Sequence, residues 1–132
     1  MSIPEAYIAT LLADGYSEAG VLDKAEEYYR QAISLDSTNS DRINDLAYFL
    51  IDKDRNIIEG LELIDKKLDL RPEDFYSLHT KGFGLYKQEK YQEALKILQK
   101  SWDLRRQKAI YDHQAWLHLE AAKKAVANQK NN

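Results

Sequence analysis

KGFGLYKQEKYQEALKILQKSWDL, residues 81–104, reads as two amphipathic helices joined by a tight turn. Gly82 and Leu85 stand about one turn apart in the first half. In the second half Tyr91, Ala94, Leu95, Leu98 and Trp102 fall at i, i+3, i+4, i+7 and i+11, which is one helical face. Neither helix buries its stripe alone, so each packs on the other and on something further. That something is present twice more. Counting back from Ala94 by 34 and then 35 residues reaches Gly60 and Ala25. Counting back from Gly82 by 35 and then 34 reaches Ala47 and Ala13. A period near 34 residues, built of paired helices, decides the fold.

Upstream, the same plan is legible. Ser2 and Glu5 have capping-box spacing, with Pro4 in the first turn. A helix over residues 6–18 follows, and Gly20 supplies its left-handed end. Its partner spans about residues 22–35, and the polar stretch DSTNS makes the next loop. In the second pair Ile43, Leu46, Ala47 and Leu50 mark one helix, and Ile57, Gly60, Leu61 and Ile64 the other. Residues 53–56 form the turn, where Asn56 is placed to take the left-handed role, and Pro72 ends the pair. Asp74 or a neighbour caps the third pair. After Leu104 the pattern gives a short basic loop, residues 105–108, and a seventh helix over about 110–128.

This pattern resembles the tetratricopeptide repeat family. Leu12-Ala13, Tyr16, Ala25, Tyr29 and Ala32 carry it in the first copy. Leu46-Ala47, Leu50, Gly60, Ile64 and Pro72 carry it in the second, and Gly82, Leu85, Tyr91, Ala94 and Leu98 in the third. The resemblance implies an all-α solenoid of three antiparallel helix hairpins in a right-handed superhelix. Repeats fall at about 6–39, 40–74 and 75–108, the seventh helix caps the array, and residues 1–132 form one domain. The small residues have a physical reason of their own, since a larger side chain would force closely crossing helices away from each other. Lys67 departs from the pattern where the first copy has Ala32. Lys81 departs where the other copies have leucine, and its stem is expected to pack while its ammonium reaches water.

Composition narrows the function classes. The chain has 132 residues, 31% of them charged, with a net charge of −3 and no cysteine. That balance gives no support to a nucleic-acid partner. The longest apolar run, residues 46–51, is too short to cross a bilayer. MSIPEAY carries no signal-peptide pattern, so the cytoplasm is the default, with export if the chain is a fragment of a longer one. No HExxH, phosphate-binding glycine loop or GxSxG motif is present, and His113 and His118 are not at the i, i+4 spacing of a ligand pair. No enzyme activity, metal or cofactor is expected.

The resemblance places partner contacts on the first helix of each pair, lining a concave face. The matching residues are Tyr7, Thr10, Asp14 and Ser17, then Asn44, Tyr48 and Ile51, then Tyr76, His79, Phe83 and Tyr86. They are expected to face outward, and such aromatics suit an extended peptide or a helix. The competing reading is that the seventh helix packs on some of these rings. Some family members hold a partner's terminal carboxylate with basic and amide residues. Thr10, Asp14, Asp45, Tyr76 and Thr80 stand at those positions here, and none is basic. With Asp14, Asp41, Asp45 and Asp52 on this face, a neutral or basic segment fits better. The resemblance thus implies a non-enzymatic protein-interaction module. The alternative is a structural segment of a larger repeat protein, or a self-associating array forming a homodimer.

Overall fold

A computed structural model describes residues 3–131, and every described element is helical. In chain order they are α1 (Glu5–Glu18), α2 (Leu22–Leu35), α3 (Ser40–Asp52), α4 (Ile57–Leu70), α5 (Phe75–Lys87), α6 (Tyr91–Gln107) and α7 (His113–Lys130). Consecutive helices pair as α1–α2, α3–α4 and α5–α6, and α7 packs on α6 and α5. Each hairpin also packs on the next, α2 on α3 and α4 on α5.

Small residues set how closely the helices cross. Ala13, Ala25, Ala47 and Ala94 are fully buried. A Cβ on Gly60 would stand 2.8 Å from the Ile51 side chain and 2.9 Å from the Ala47 carbonyl oxygen. A Cβ on Gly82 would stand 2.5 Å from Leu98. Around these contacts Ala13, Ala25, Tyr29, Leu46, Phe49 and Leu50 form one core, flanked by Tyr16, Leu22 and Leu63. Leu98, Leu119 and Ala122 form a second where α7 closes the array, flanked by Tyr86, Leu95 and Trp102. Polar groups add registry. Arg30 clasps Glu59 through two 2.9 Å hydrogen bonds, and Arg55 reaches Asp23 at 2.7 Å and Glu26 at 2.9 Å, tying α2 to the next hairpin.

Several local expectations change. Ser2, half of the capping box, lies outside the described residues; Pro4 stands at the N-cap, and its carbonyl accepts from Tyr7 and Ile8. Gly20 is left-handed as expected, at φ +79°. In the second turn Asp54 takes that conformation, at φ 54°. Asn56 instead caps α4, its side chain accepting from the Glu59 amide at 3.0 Å. Residues 105–107 are not loop but the last turn of α6, and Arg105 is 2% exposed there. Its guanidinium lies 4.8 Å from the Phe75 ring centre and 5.0 Å from that of Tyr76. Those rings give a cation a reason to stay in the helix. α7 starts three residues later than expected, because Asp112 caps it, accepting from the Ala115 amide at 2.8 Å.

Both unusual lysines find carboxylates. Lys81 reaches Asp65 at 2.8 Å from a partly exposed stem. Lys67 is buried, with its side chain 3% exposed, 3.0 Å from Asp74 and 3.5 Å from Asp41. Asp74 also caps α5 through the Tyr76 amide and accepts from the Ser77 hydroxyl. Burial pushes the Asp74 carboxyl up, but the bonds from Lys67 and Ser77 outweigh it and hold the pKa below the ordinary value.

Candidate functional site: a cleft between the first and third helices

The first helices of the hairpins share one side of the molecule, and the expected contact residues divide into two groups on it. Tyr7 and Tyr76 are exposed, at 47% and 49%. Asp14, Ser17, Asn44 and Tyr48 line a cleft of about 450 Å³ between α1 and α3. Asp45, Asp52, Glu18, Lys53, Tyr29 and Phe49 complete its walls.

The other group is covered, which corrects the expectation that all of them face outward. Thr10 is buried, donating to the Ala6 carbonyl and accepting from Arg42 at 3.1 Å. Ile51 is fully buried against Gly60 and Gly84. His79 and Phe83 are 8% and 6% exposed, because α7 lies over α5. The His118 ring stacks on Phe83 at 3.9 Å and 9°, and its Nδ1 is 2.7 Å from His79 Nε2. Tyr86 is half-buried on the same α7 contact. The competing reading therefore holds for these rings. The stack runs on to α3, where the Tyr48 ring lies 5.7 Å from Phe83 and 6.0 Å from His79. Tyr48 is thus both the end of a packed aromatic ladder and a wall of the open cleft. Asn44 is held similarly, accepting from Thr80 at 2.9 Å.

The cleft is acidic and poor in counter-charge. Asp14, Glu18, Asp45 and Asp52 line it with Lys53, which pairs with Asp52 at 3.7 Å; Arg42, outside the lining, reaches Asp45 at 3.9 Å. Burial first, and then the Asp14 charge, push the Asp45 carboxyl up to about 6, with Arg42 acting against them. The Tyr29 hydroxyl donates to Asp14, and burial with that bond pushes the phenol well above its usual range. Burial and the Asp52 charge push Tyr48 up to about 12. The cleft therefore offers carboxylate acceptors around a neutral phenol, an arrangement that attracts donors and cations and repels anions. The sequence pattern named Asp14 and Tyr48 but missed Tyr29 and Glu18. Tyr29 reads as a core residue because it serves both roles. Among the described residues no three His, Cys, Asp or Glu side chains gather as metal ligands. None of the described helices is long and apolar enough to cross a membrane.

Residues 76–115 match the tetratricopeptide repeat family model. The chain carries a tetratricopeptide repeat. Solved structures extend the tetratricopeptide fold to nearly its whole length. The Sgt2 tetratricopeptide domain from Aspergillus fumigatus superposes with a TM-score of 0.79 at 15% identity, covering 98% of this chain and 84% of that one. The first tetratricopeptide domain of human RPAP3 gives 0.76 at 16% identity, over 96% of both chains. The first such domain of Spaghetti, bound to the HSP90 peptide SRMEEVD, gives 0.72 at 16% identity, covering 93% of this chain and 94% of that one. No curated protein matches the sequence.

Proposed function

We propose that this tetratricopeptide chain is a non-enzymatic protein-interaction module that holds a neutral or basic segment of a partner on its concave side. The observation that carries the reading is the open cleft between α1 and α3, lined by four carboxylates, the Tyr48 phenol and one lysine, with Arg42 pairing with Asp45 from outside the lining. A lysine or arginine entering there gains charge-assisted hydrogen bonds to Asp14 and Asp45. The Tyr48 face adds an aromatic surface for its alkyl stem or its cation. The fold neighbours support the class of function. One is bound to the HSP90 peptide SRMEEVD and another to the HSP70 peptide SGPTIEEVD. Both peptides end in acidic residues, and the carboxylates of this cleft oppose such a tail.

Selection of a displayed random peptide library on the full chain tests the reading. Selected peptides are expected to carry no net negative charge and to lose about ten-fold or more in affinity for Tyr48→Ala, roughly 1.4 kcal/mol. SRMEEVD is expected not to bind. Selected peptides that ignore the Tyr48 change remove the cleft as the site, and tight binding of the acidic tail removes the charge argument.

A further inference from the structure

Among the described residues, none covers the face of α1 that points away from α2 and α3. The internal repeat shows what such a face does elsewhere in the chain. Shifted by the repeat interval, Leu11, Leu12 and Gly15 correspond to Asp45, Leu46 and Phe49 on α3, and to Thr80, Lys81 and Gly84 on α5. There most of the face is packed, although the Asp45 and Lys81 side chains stay 36% and 30% exposed. Leu46 and Phe49 are 2% and 3% exposed, and Thr80 is 1% exposed. Its cover is the second helix of the preceding hairpin. The Tyr29 ring of α2 lies 5.0 Å from Phe49. Leu61 of α4 sits on Gly84 so closely that a Cβ there would stand 2.6 Å from it. On α1 nothing among the described residues takes this place. Ile8, Leu11 and Leu12 are 43%, 51% and 41% exposed, and a Cβ on Gly15 would meet nothing within 4 Å. Ile8, Ala9, Leu12, Tyr28 and Leu35 line a cleft of about 330 Å³ beside it, with Glu5 at the edge.

Charge says what kind of helix completes the face. The first 23 residues contain Glu5, Asp14, Glu18 and Asp23 and no lysine or arginine. Asp14 bonds Tyr29 and Asp23 pairs with Arg55, so two copies meeting α1 to α1 would set Glu5 and Glu18 against each other, and a second copy is opposed. We propose that the α1 face docks an amphipathic helix of a partner protein, with an apolar stripe flanked by lysine or arginine, in the place that α2 takes on α3 and α4 on α5. A large aliphatic side chain of that helix sits on Gly15, as Leu61 sits on Gly84. The basic flanks meet Glu5 and Glu18. Apart from Glu18, which also stands in the wall of the concave cleft, this site shares no residue with that cleft, and it stands whether or not the cleft binds a peptide.

The test uses the full chain and two fluorescein-labelled, side-chain-stapled helices of about 18 residues, long enough for several turns. Both carry leucine and alanine at every third and fourth position. One has lysine flanks and the other glutamate flanks. The lysine-flanked helix is expected to raise fluorescence polarisation at micromolar protein. The combined change Ile8→Lys and Leu11→Lys is expected to weaken it by about ten-fold or more, at unchanged helical circular dichroism. The glutamate-flanked helix is expected to bind the unchanged protein about ten-fold more weakly and to recover on the double-lysine variant. Tyr48→Ala is expected to leave the lysine-flanked helix bound. The proposal is overturned if neither helix binds, if flank charge makes no difference, or if Tyr48→Ala releases the helix. It is overturned equally if sedimentation shows a dimer that Leu11→Lys dissolves, since the second copy is then the occupant.

Discussion

His79 Nε2 and His118 Nδ1 lie 2.7 Å apart, joining α5 to α7 across 39 residues of chain. One nitrogen must donate and the other accept, so the bond needs the pair to hold fewer protons than it has sites. Burial first, and then the neighbouring His118, hold the His79 pKa down to about 3. Burial also lowers His118, against the pull of Asp52 and Asp112 and with the push of Lys87.

A depressed imidazole pKa means that the unfolded chain takes up protons that the folded pair refuses. Stability is therefore full above the ordinary value near 6.5 and is lost as pH falls below it, towards 3. For His79 alone the loss between pH 7 and pH 5 is about 2 kcal/mol. His79→Gln keeps a hydrogen-bonding partner for His118 and removes that titration. Urea melts at the two pH values are expected to differ less for the variant than for the unchanged chain. Equal differences would move the acid sensitivity elsewhere.

Two helical glycines are expected to respond to alanine with opposite signs. At Gly82 the added Cβ would meet Leu98 Cγ at 2.5 Å and Cδ2 at 2.6 Å, and Leu98 is 2% exposed, with little room to swing away. Overpacking of this kind outweighs the helix-propensity gain, for a net loss of about 1–2 kcal/mol. At Gly15 nothing lies within 4 Å, so only the propensity gain of about 1 kcal/mol remains. Urea midpoints of the two variants decide it, and a stabilised Gly82→Ala would mean that the α5–α6 crossing is looser than these distances imply.

These glycines also show where the sequence was informative. Ala13, Ala25, Gly60 and Gly82 recur at one period because close crossing tolerates only small side chains, so the hairpins could be placed from spacing alone. The covering of His79 and Phe83 had no such signal. It depends on His118 arriving from a distant helix, and a histidine on a half-polar helix face says nothing about its neighbour. Arg105 misled for a related reason. A run of basic residues reads as a solvated loop, whereas the Phe75 and Tyr76 rings at the start of α5 and the Asp112 carboxylate at 3.9 Å favour burial. Asp54 took the left-handed position expected of Asn56 because both residue types suit such a turn, and the Asn56 side chain was better used on the Glu59 amide.

Asp74 joins two tasks that substitutions can separate. It caps α5 through the Tyr76 amide at 3.1 Å and holds the buried Lys67 ammonium at 3.0 Å. Asp74→Asn keeps an acceptor for the cap and loses the charge. Asp74→Ala loses both and leaves Lys67 with Asp41 alone, which is 80% exposed. A buried lysine stripped of its main partner costs about 3 kcal/mol, and the lost cap adds about 1. Thermal melts are expected to order the proteins as unchanged chain, then Asn, then Ala. Adding Lys67→Met to Asp74→Ala should restore most of the loss. If it restores none, the buried charge was not the cost.

Asp45 is expected to trade stability for recognition. Its carboxyl pKa is raised to about 6, so the folded chain takes up a proton there more readily than the unfolded one. Stability from this group therefore rises as pH falls through 6 and is diminished at pH 7, where the charge is held in a half-buried place beside Asp14. Asp45→Asn removes that cost. The gain at pH 7 is at most about 1 kcal/mol, because the side chain is 36% exposed and solvent screens it. The same change takes one carboxylate from the cleft, so a lysine-containing peptide selected on the chain should bind about ten-fold more weakly. In the unchanged chain that peptide should also weaken between pH 7.5 and 5.5 as Asp45 is neutralised, and the variant should be nearly indifferent over that range. Titration calorimetry at the two pH values reads both effects. A peptide that binds Asp45→Asn as tightly as the unchanged chain, with the same pH dependence, would show that this carboxylate faces the cleft without serving it.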